Sequence, residues 1–371
     1  MAGLYFHIPF CRKACTYCDF HFSTTLDRID ALVQAMRTEL LRRAHELRGG
    51  TVDTIYLGGG TPSLLSERDL SALLSDARTL GHVSDAAEVT MEVNPDDVTA
   101  EAIDAWMRIG ITRLSIGVQS FRDDRLRAMG RAHNADQSFR SLELIAKAGF
   151  TSWTMDLIYG LPGMTIEEWT TQLDQALSFA PLHISAYCLT VEPRTALHKQ
   201  VERGDVIAAP DEDQAQQFEL LQQRLAAAGY VHYEISNFGK PGHFSRHNTS
   251  YWQGVPYVGI GPSAHSFDGA VRRWNMANNS RYIAGVNAGE VYWEEERPTE
   301  AQQANERIMT GLRTMWGFDL AHLPDLAPPT ERTVQRYVDS GHLVRDANRI
   351  VLTKAGKLLA DRIASDLFLS K

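Results

Sequence analysis

The chain has 371 residues, 44% hydrophobic and 22% charged, an ordinary globular composition with length enough for a large core and one or two smaller units. Four cysteines, three of them bunched near the front, exclude a disulfide framework and point to a reduced protein with a metal site. A net charge of -9 argues against a broad nucleic-acid surface, and no run of about 18 apolar residues offers a membrane span. The five residues up to Tyr5 are too few for a signal peptide, so a soluble cytoplasmic protein is expected, with peripheral membrane contact left open.

Residues 3–8 predict a first strand, and Ile29, Leu32, Val33, Met36, Leu40 and Leu47 mark one face of an amphipathic helix after it. Further strands are predicted at 52–57, 87–93, 112–118, 151–158 and 183–189, with helical patterns near 66–80, 99–109, 136–148 and 165–179. Repeated strand–helix units imply an α/β fold with a parallel sheet, a whole or partial (β/α)6 barrel. A doubly wound open sheet is the other topology this pattern permits.

The unusual residues stand at the carboxyl ends of these strands. The cysteines follow the first strand, GGGTP (58–62) the second, EVNP (92–95) the third, GVQSF (117–121) the fourth and DLIYGLP (156–162) the fifth. Ligands bind at that edge in barrels and open sheets alike, so five strand ends point to one site.

Beyond residue 190 the pattern changes. A helix near 211–228 leads to YVHYEISNF (230–238), and the Gly- and aromatic-rich stretch over 243–269 is expected to form strands and loops. From 299 onward, helical patterns and a hairpin with Gly341 before it and Asp346 and Asn348 at its turn outline a winged-helix-like tail. The expected organisation is a barrel over 1–190, an α/β extension over 191–298 and a tail over 299–371. The tail holds ten Lys/Arg against nine Asp/Glu, so packing against the barrel or a partner is expected, not DNA binding.

Cys11, Cys15 and Cys18 form C-x3-C-x2-C on a loop. An iron–sulfur cubane takes thiolates at three or four corners, and a short loop can wrap three of them. On spacing alone, zinc with His21 or His7 as fourth ligand and three unrelated buried thiols are the alternatives. Cys188 is expected to be an ordinary buried strand cysteine.

That cysteine spacing, with Tyr17 just before its last member, resembles the radical S-adenosylmethionine (SAM) superfamily. With GGGTP, EVNP, GVQSF and DLIYGLP following in order, it is similar to the branch that contains oxygen-independent coproporphyrinogen III dehydrogenases and the HemW heme chaperones. The likeness covers nearly the whole chain. It implies a [4Fe–4S] cluster on Cys11, Cys15 and Cys18, with the fourth iron free for the amino and carboxylate groups of SAM. It also implies that Tyr5, Tyr17, Gly59, Gly60, Thr61, Glu92, Gln119, Arg131, Asp156 and Ala186 line one or two SAM sites. The chemistry suits that ligand: Gly58, Gly59 and Gly60 would expose N–H groups to its charged end. Glu92 and Asp156 would accept from ribose hydroxyls or an ammonium, and Gln119 and Arg131 offer an amide and a bidentate guanidinium.

Two functions of different class are implied. One is a radical enzyme that oxidatively decarboxylates porphyrinogen propionates; the other is a carrier that binds heme and delivers it to an acceptor protein. The dehydrogenases carry a further cysteine two positions after the third, where this chain has Asp19 and Phe20. They also have a long N-terminal extension, whereas ten residues precede Cys11 here. Finally, HNTSYW (247–252) matches the H-N-x-x-Y-W signature of the chaperones, so the resemblance favours the carrier. His247 is then the expected axial ligand of heme iron, with Tyr251 and Trp252 against the macrocycle and His243 or His265 as substitutes. Without the resemblance, a histidine beside aromatics is more often a satisfied structural residue.

Overall fold

The computed structural model describes residues 2–47, 50–323 and 328–369; residues 1 and 370–371, at the ends of the expected first and third segments, lie outside the described residues. Six strands, β1 (Ala2–Ile8), β2 (Val52–Gly59), β3 (Val83–Val93), β4 (Arg113–Gln119), β5 (Ser152–Tyr159) and β6 (His183–Cys188), pair in sequence order, each parallel to the next. A doubly wound sheet reverses its strand order at one point. This one does not, so the sheet is a singly wound partial barrel.

Helices α1 (Ile29–Leu47), α2 (Glu67–Leu80), α3 (Ala100–Arg108), α4 (Asp123–Ala128), α5 (Ala135–Ala148) and α6 (Ile166–Ser178) make the crossovers. Their starts follow local chemistry: the side chains of Ser66, Thr99 and Thr165 cap α2, α3 and α6, and Asn134 with Gln137 forms a capping box on α5. Along each strand one set of side chains faces these helices. On β4 that set is Leu114, Ile116 and Val118, each fully buried. The alternate set faces the barrel interior and is polar: Thr54 and Tyr56 on β2, Thr90 and Glu92 on β3, Arg113 and Ser115 on β4, Thr154 and Asp156 on β5. Most of that set lines an internal cavity of about 40 Å³.

After α7 (Ala196–Glu202) and α8 (Asp211–Ala227), a hairpin of β7 (Val231–Glu234) and β8 (Asn237–Gly239) adds antiparallel to β6. The short helix α9 (Arg246–Trp252) follows, where strands and loops were expected. Its Asn, Thr, Tyr and Trp residues are weak helix formers. Tertiary partners decide instead: Ser245 caps it, and Glu88 of β3 accepts the N–H groups of Arg246 and His247. Strands β9 (Tyr257–Ile260), β10 (His265–Phe267) and β11 (Arg272–Asn275), helix α10 (Asn279–Ala288) and β12 (Trp293–Glu296) extend the sheet beyond β1, with β9 parallel to β1.

The tail comprises α11 (Glu300–Leu312), β13 (Phe318–Asp319), α12 (Pro328–Asp339), β14 (Leu343–Asp346), β15 (Arg349–Leu352) and α13 (Ala360–Leu367), with its own sheet in the order β13-β15-β14. Ile308, Leu312, Ile350 and Ile363 form a core separate from that of the barrel. The tail is pinned to β7, where buried Glu234 accepts from Arg313 at 3.0 Å and Met315 N–H donates to Tyr233 O at 2.9 Å. No helix among the described residues is long and apolar enough to cross a membrane.

Candidate functional site

The loop after β1 is fixed by backbone hydrogen bonds to three distant segments. Cys11 N–H donates to Ser23 O (3.0 Å), Thr16 N–H to Met129 O (2.9 Å), and Leu197 N–H to Thr16 O (2.8 Å). Its thiols meet polar side chains from the neighbouring strand ends: Thr61 Oγ1 lies 3.7 Å from Cys11 Sγ, and Arg131 Nη1 lies 3.5 Å from Cys15 Sγ.

The glycine run after β2 makes this contact feasible. Gly59 adopts a φ of 107°, and a Cβ on Gly60 would fall 2.6 Å from Phe10 O. The expected exposure of its N–H groups to a ligand is corrected here. Gly60 and Thr61 N–H donate to Ile8 O and Phe10 O at 2.8 and 2.7 Å, and Gly59 N–H donates to Glu92 Oε2 at 3.0 Å. The glycines let the turn close on the cysteine loop; they do not present free donors.

Two half-buried carboxylates face the same space. Glu92 also accepts from the Tyr56 hydroxyl at 2.8 Å, and burial raises its pKa against those two hydrogen bonds. Asp156 accepts from Ser115 Oγ at 3.0 and 3.2 Å; burial pushes it up to about 7, opposed by Ser115 and reinforced by Glu92. Arg131 is buried among Asn94 Oδ1 (2.7 Å), Gly117 O (3.0 Å) and the Tyr17 hydroxyl (3.5 Å). Burial works against its charge, but Tyr17 and Cys15 more than restore it. At the end of β4, Gln119 takes a φ of 64°, a conformation costly for a residue with a Cβ and typical of functional sites.

These groups surround one cavity of about 430 Å³. The structure brings together Cys11, Cys15, Cys18, Tyr17, Gly59, Gly60, Thr61, Glu92, Gln119, Arg131 and Asp156 around it. Tyr5, Gly58, Ala186 and His247 are not on its wall. Tyr5 lies deeper in the barrel, its hydroxyl 3.0 Å from His7 Nδ1, and Ala186 is buried in the core with its N–H donating to Ser236 O. His247 is 1% exposed, with Nδ1 2.8 Å from Thr54 Oγ1 and Nε2 2.6 Å from the Tyr251 hydroxyl. Both of its nitrogens are hydrogen-bonded here, whereas an axial ligand to iron needs one of them free. Cys188 is also corrected: it lines the cavity while donating to Gln214 Oε1 at 3.0 Å. Sequence reasoning missed Asn94, Ser115 and Tyr187 on the wall. Their signal was strand alternation, since Ser115 sits two residues before Gly117 on the inward face.

A zwitterion with hydroxyl groups suits this lining, which sets Lys13 and Arg131 beside Glu92 and Asp156. Both histidines that could complete a zinc site are committed elsewhere, His7 Nε2 to His21 O (3.0 Å) and His21 Nε2 to Asn279 Oδ1 (2.7 Å). No group of three His, Cys, Asp or Glu among the described residues could hold a single metal ion.

Residues 5–175 match the model of the Radical SAM superfamily, and residues 299–359 match the HemN C-terminal domain. The chain is 38% identical to the heme chaperone HemW of Mycobacterium tuberculosis, over 98% of this chain and 94% of the relative. It is 33% identical to the heme chaperone HemW of Bacillus subtilis, over 98% of both. The chain belongs to the HemW family of radical SAM proteins. This HemW-family chain also shares its fold with the solved coproporphyrinogen III oxidase (HemN) of Escherichia coli, at a TM-score of 0.86, 24% identity, and coverage of 99% of this chain and 90% of that one. Membership of the superfamily implies a [4Fe–4S] cluster and SAM. The HemW-family cleft fits both, with three thiols on one anchored loop and beside them a cavity of about 430 Å³ whose wall carries Glu92, Gln119, Arg131 and Asp156.

Proposed function

We propose that this chain is a heme chaperone, which binds heme and hands it to an acceptor protein while carrying a [4Fe–4S] cluster with SAM at its open iron. The observation that carries this reading is the nearly full-length similarity to two proteins named heme chaperones. The Asp19–Phe20 pair, in place of a further cysteine, supports the same choice over the dehydrogenase.

In this reading Cys11, Cys15 and Cys18 hold three irons. When bound, the cluster supplies a fourth iron for SAM's amino and carboxylate groups and an electron in its reduced state. Thr61 and Arg131 hold the sulfurs in place by hydrogen bonds and positive charge. Arg131 and Lys13 bring positive charge to the carboxylate end of SAM. Glu92 and Asp156 accept from its hydroxyls or ammonium, Gln119 offers its amide, and Tyr17 closes the side toward the cluster. Asp156, titrating at about 7, can hold or release a proton at that surface. On the rim Phe20 is 67% exposed and Tyr187 43%, which gives a planar apolar ligand two aromatic contacts.

The test is anaerobic. The reconstituted protein is given SAM and coproporphyrinogen III and assayed for protoporphyrinogen, and separately titrated with hemin and mixed with an apo-heme protein. Hemin uptake and transfer without decarboxylation is the expected result. Robust decarboxylation would overturn the chaperone assignment in favour of a radical enzyme.

A further inference from the structure

His247 sits at the amino-terminal end of the barrel, opposite the cleft. Glu88 holds α9 there through the N–H groups of Arg246 and His247, at 3.0 and 3.1 Å. With Thr54 and Tyr251 on its two nitrogens, the imidazole is neutral, burial having lowered its pKa to about 3. Its flat face stacks on Tyr56, with ring centroids 5.0 Å apart and planes 25° from parallel.

Tyr56 leads upward to the cleft. Its hydroxyl donates to Glu92 Oε1 at 2.8 Å, while Glu92 Oε2 accepts Gly59 N–H at 3.0 Å. Thr54, Tyr56 and Gly58 alternate along the inward face of β2, so the contacts rise one strand step at a time from the floor to the rim. The column is closely fitted: a Cβ on Gly3 would come within 3.3 Å of His247 Cε1, and one on Gly58 within 2.7 Å of the Tyr56 ring.

We infer that His247 is a positioning residue for the SAM-facing carboxylate of Glu92, acting through Tyr56, and is not a heme ligand. The inference rests on the SAM site proposed above. Glu92 is a carboxyl on the cavity wall whose two protein donors are one phenol and one backbone N–H, and the phenol is aimed by the ring beneath it. Removing that ring leaves a void into which Tyr56 can tilt, and the carboxylate then loses its alignment with a ligand's donors. A ligand role would instead free one nitrogen from its partner, Tyr251 or Thr54, and expose a ring that is 1% exposed.

The experiment uses the full chain, reconstituted anaerobically and checked for iron content. SAM is titrated into the reduced protein and followed by the cluster's EPR spectrum, and hemin is followed by its Soret band. His247→Ala and Tyr56→Phe should each weaken SAM binding about tenfold, as loss of one supporting contact to the carboxyl that meets the ligand. The double variant should fall well short of the roughly hundredfold product, because both act along one line of contacts. His247→Phe keeps a ring on Tyr56 and has no nitrogen for iron; it should stay within about twofold in SAM affinity with an unchanged Soret band. A Soret band altered by His247→Phe, with SAM affinity intact, would make His247 an iron ligand and overturn the inference. So would unchanged SAM affinity in His247→Ala or, should that variant fail to fold, in Tyr56→Phe. A parent chain that responds to no SAM removes the reading beneath the inference and the inference with it. A parent chain that binds SAM but no heme removes only the chaperone assignment, and the SAM titrations still decide on His247.

Discussion

The two ends of the barrel interior are built from the same kinds of residue and behave differently. At the rim, thiols, carboxylates and Arg131 surround a cavity of about 430 Å³, and Gln119 is held in a strained conformation beside it. At the floor, His247, Thr54, Tyr251 and Glu88 use up one another's hydrogen bonds, and α9 fills the opening. The difference teaches that histidine, tyrosine and carboxylate are evidence of chemistry only where the chain leaves their polar atoms unspent. Rim substitutions should therefore change what the protein binds directly, and floor substitutions should change stability, reaching the binding site only along the His247–Tyr56–Glu92 contacts.

The largest effect is expected at the rim. Cys11→Ala, Cys15→Ala or Cys18→Ala should each abolish the bound iron and the cluster's absorbance after anaerobic reconstitution. Cys188→Ala should leave both in place, since that thiol is spent on Gln214. Equal loss of iron from Cys188→Ala would make it a fourth ligand and close the iron that SAM needs.

Next comes the carboxylate between rim and lumen. Asp156 is raised to about 7, by burial first and by Glu92 against the opposing Ser115 hydrogen bonds, whereas an unfolded Asp ionises near about 3.9. Between roughly pH 4 and 7 the folded chain keeps a proton that the unfolded chain has released, so stability falls as pH rises through that window. Asp156→Asn fixes the neutral form. It should raise stability by on the order of a few kcal/mol at pH 8 and leave it nearly unchanged at pH 4, with weaker SAM binding. Thermal midpoints at the two pH values check this; an equal shift at both would assign the gain to packing.

At the floor, Thr54→Val keeps the shape of the side chain and leaves His247 Nδ1 without its partner. A loss of about 1–2 kcal/mol in urea unfolding is expected, with iron content unchanged. Loss of iron from this variant would mean that floor and rim do not separate.

The rim was largely legible in the sequence and the floor was not. Buried parallel strands leave runs of β-branched and apolar residues between capped helices, so the expected 52–57 and 112–118 correspond closely to Val52–Gly59 and Arg113–Gln119. The residues just past each strand then fall at one edge by geometry alone, and the cysteine loop, Glu92, Gln119 and Asp156 converge as expected. Helix α9 was missed because weak helix formers are held by Glu88, 159 residues from His247 in the chain. The part His247 plays depends in the same way on Thr54, 193 residues away, and no local pattern reports that pairing. Ser115 and Tyr187 were within reach of strand alternation, whereas Ala186, on the opposite phase, points into the core.

The smallest effect sharpens the comparison most. Phe20 is 67% exposed on the rim, so Phe20→Ser removes little buried surface and should shift stability by less than about 0.5 kcal/mol, with iron content unchanged. An apolar ring of this size left largely in water beside the cavity buries too little surface to hold the fold. If the rim is where a planar ligand rests, hemin affinity should fall about threefold to tenfold by Soret titration, on the scale of one lost aromatic contact. Unchanged hemin binding, alongside unchanged stability, would move the heme away from this rim and leave Phe20 without a ligand to meet.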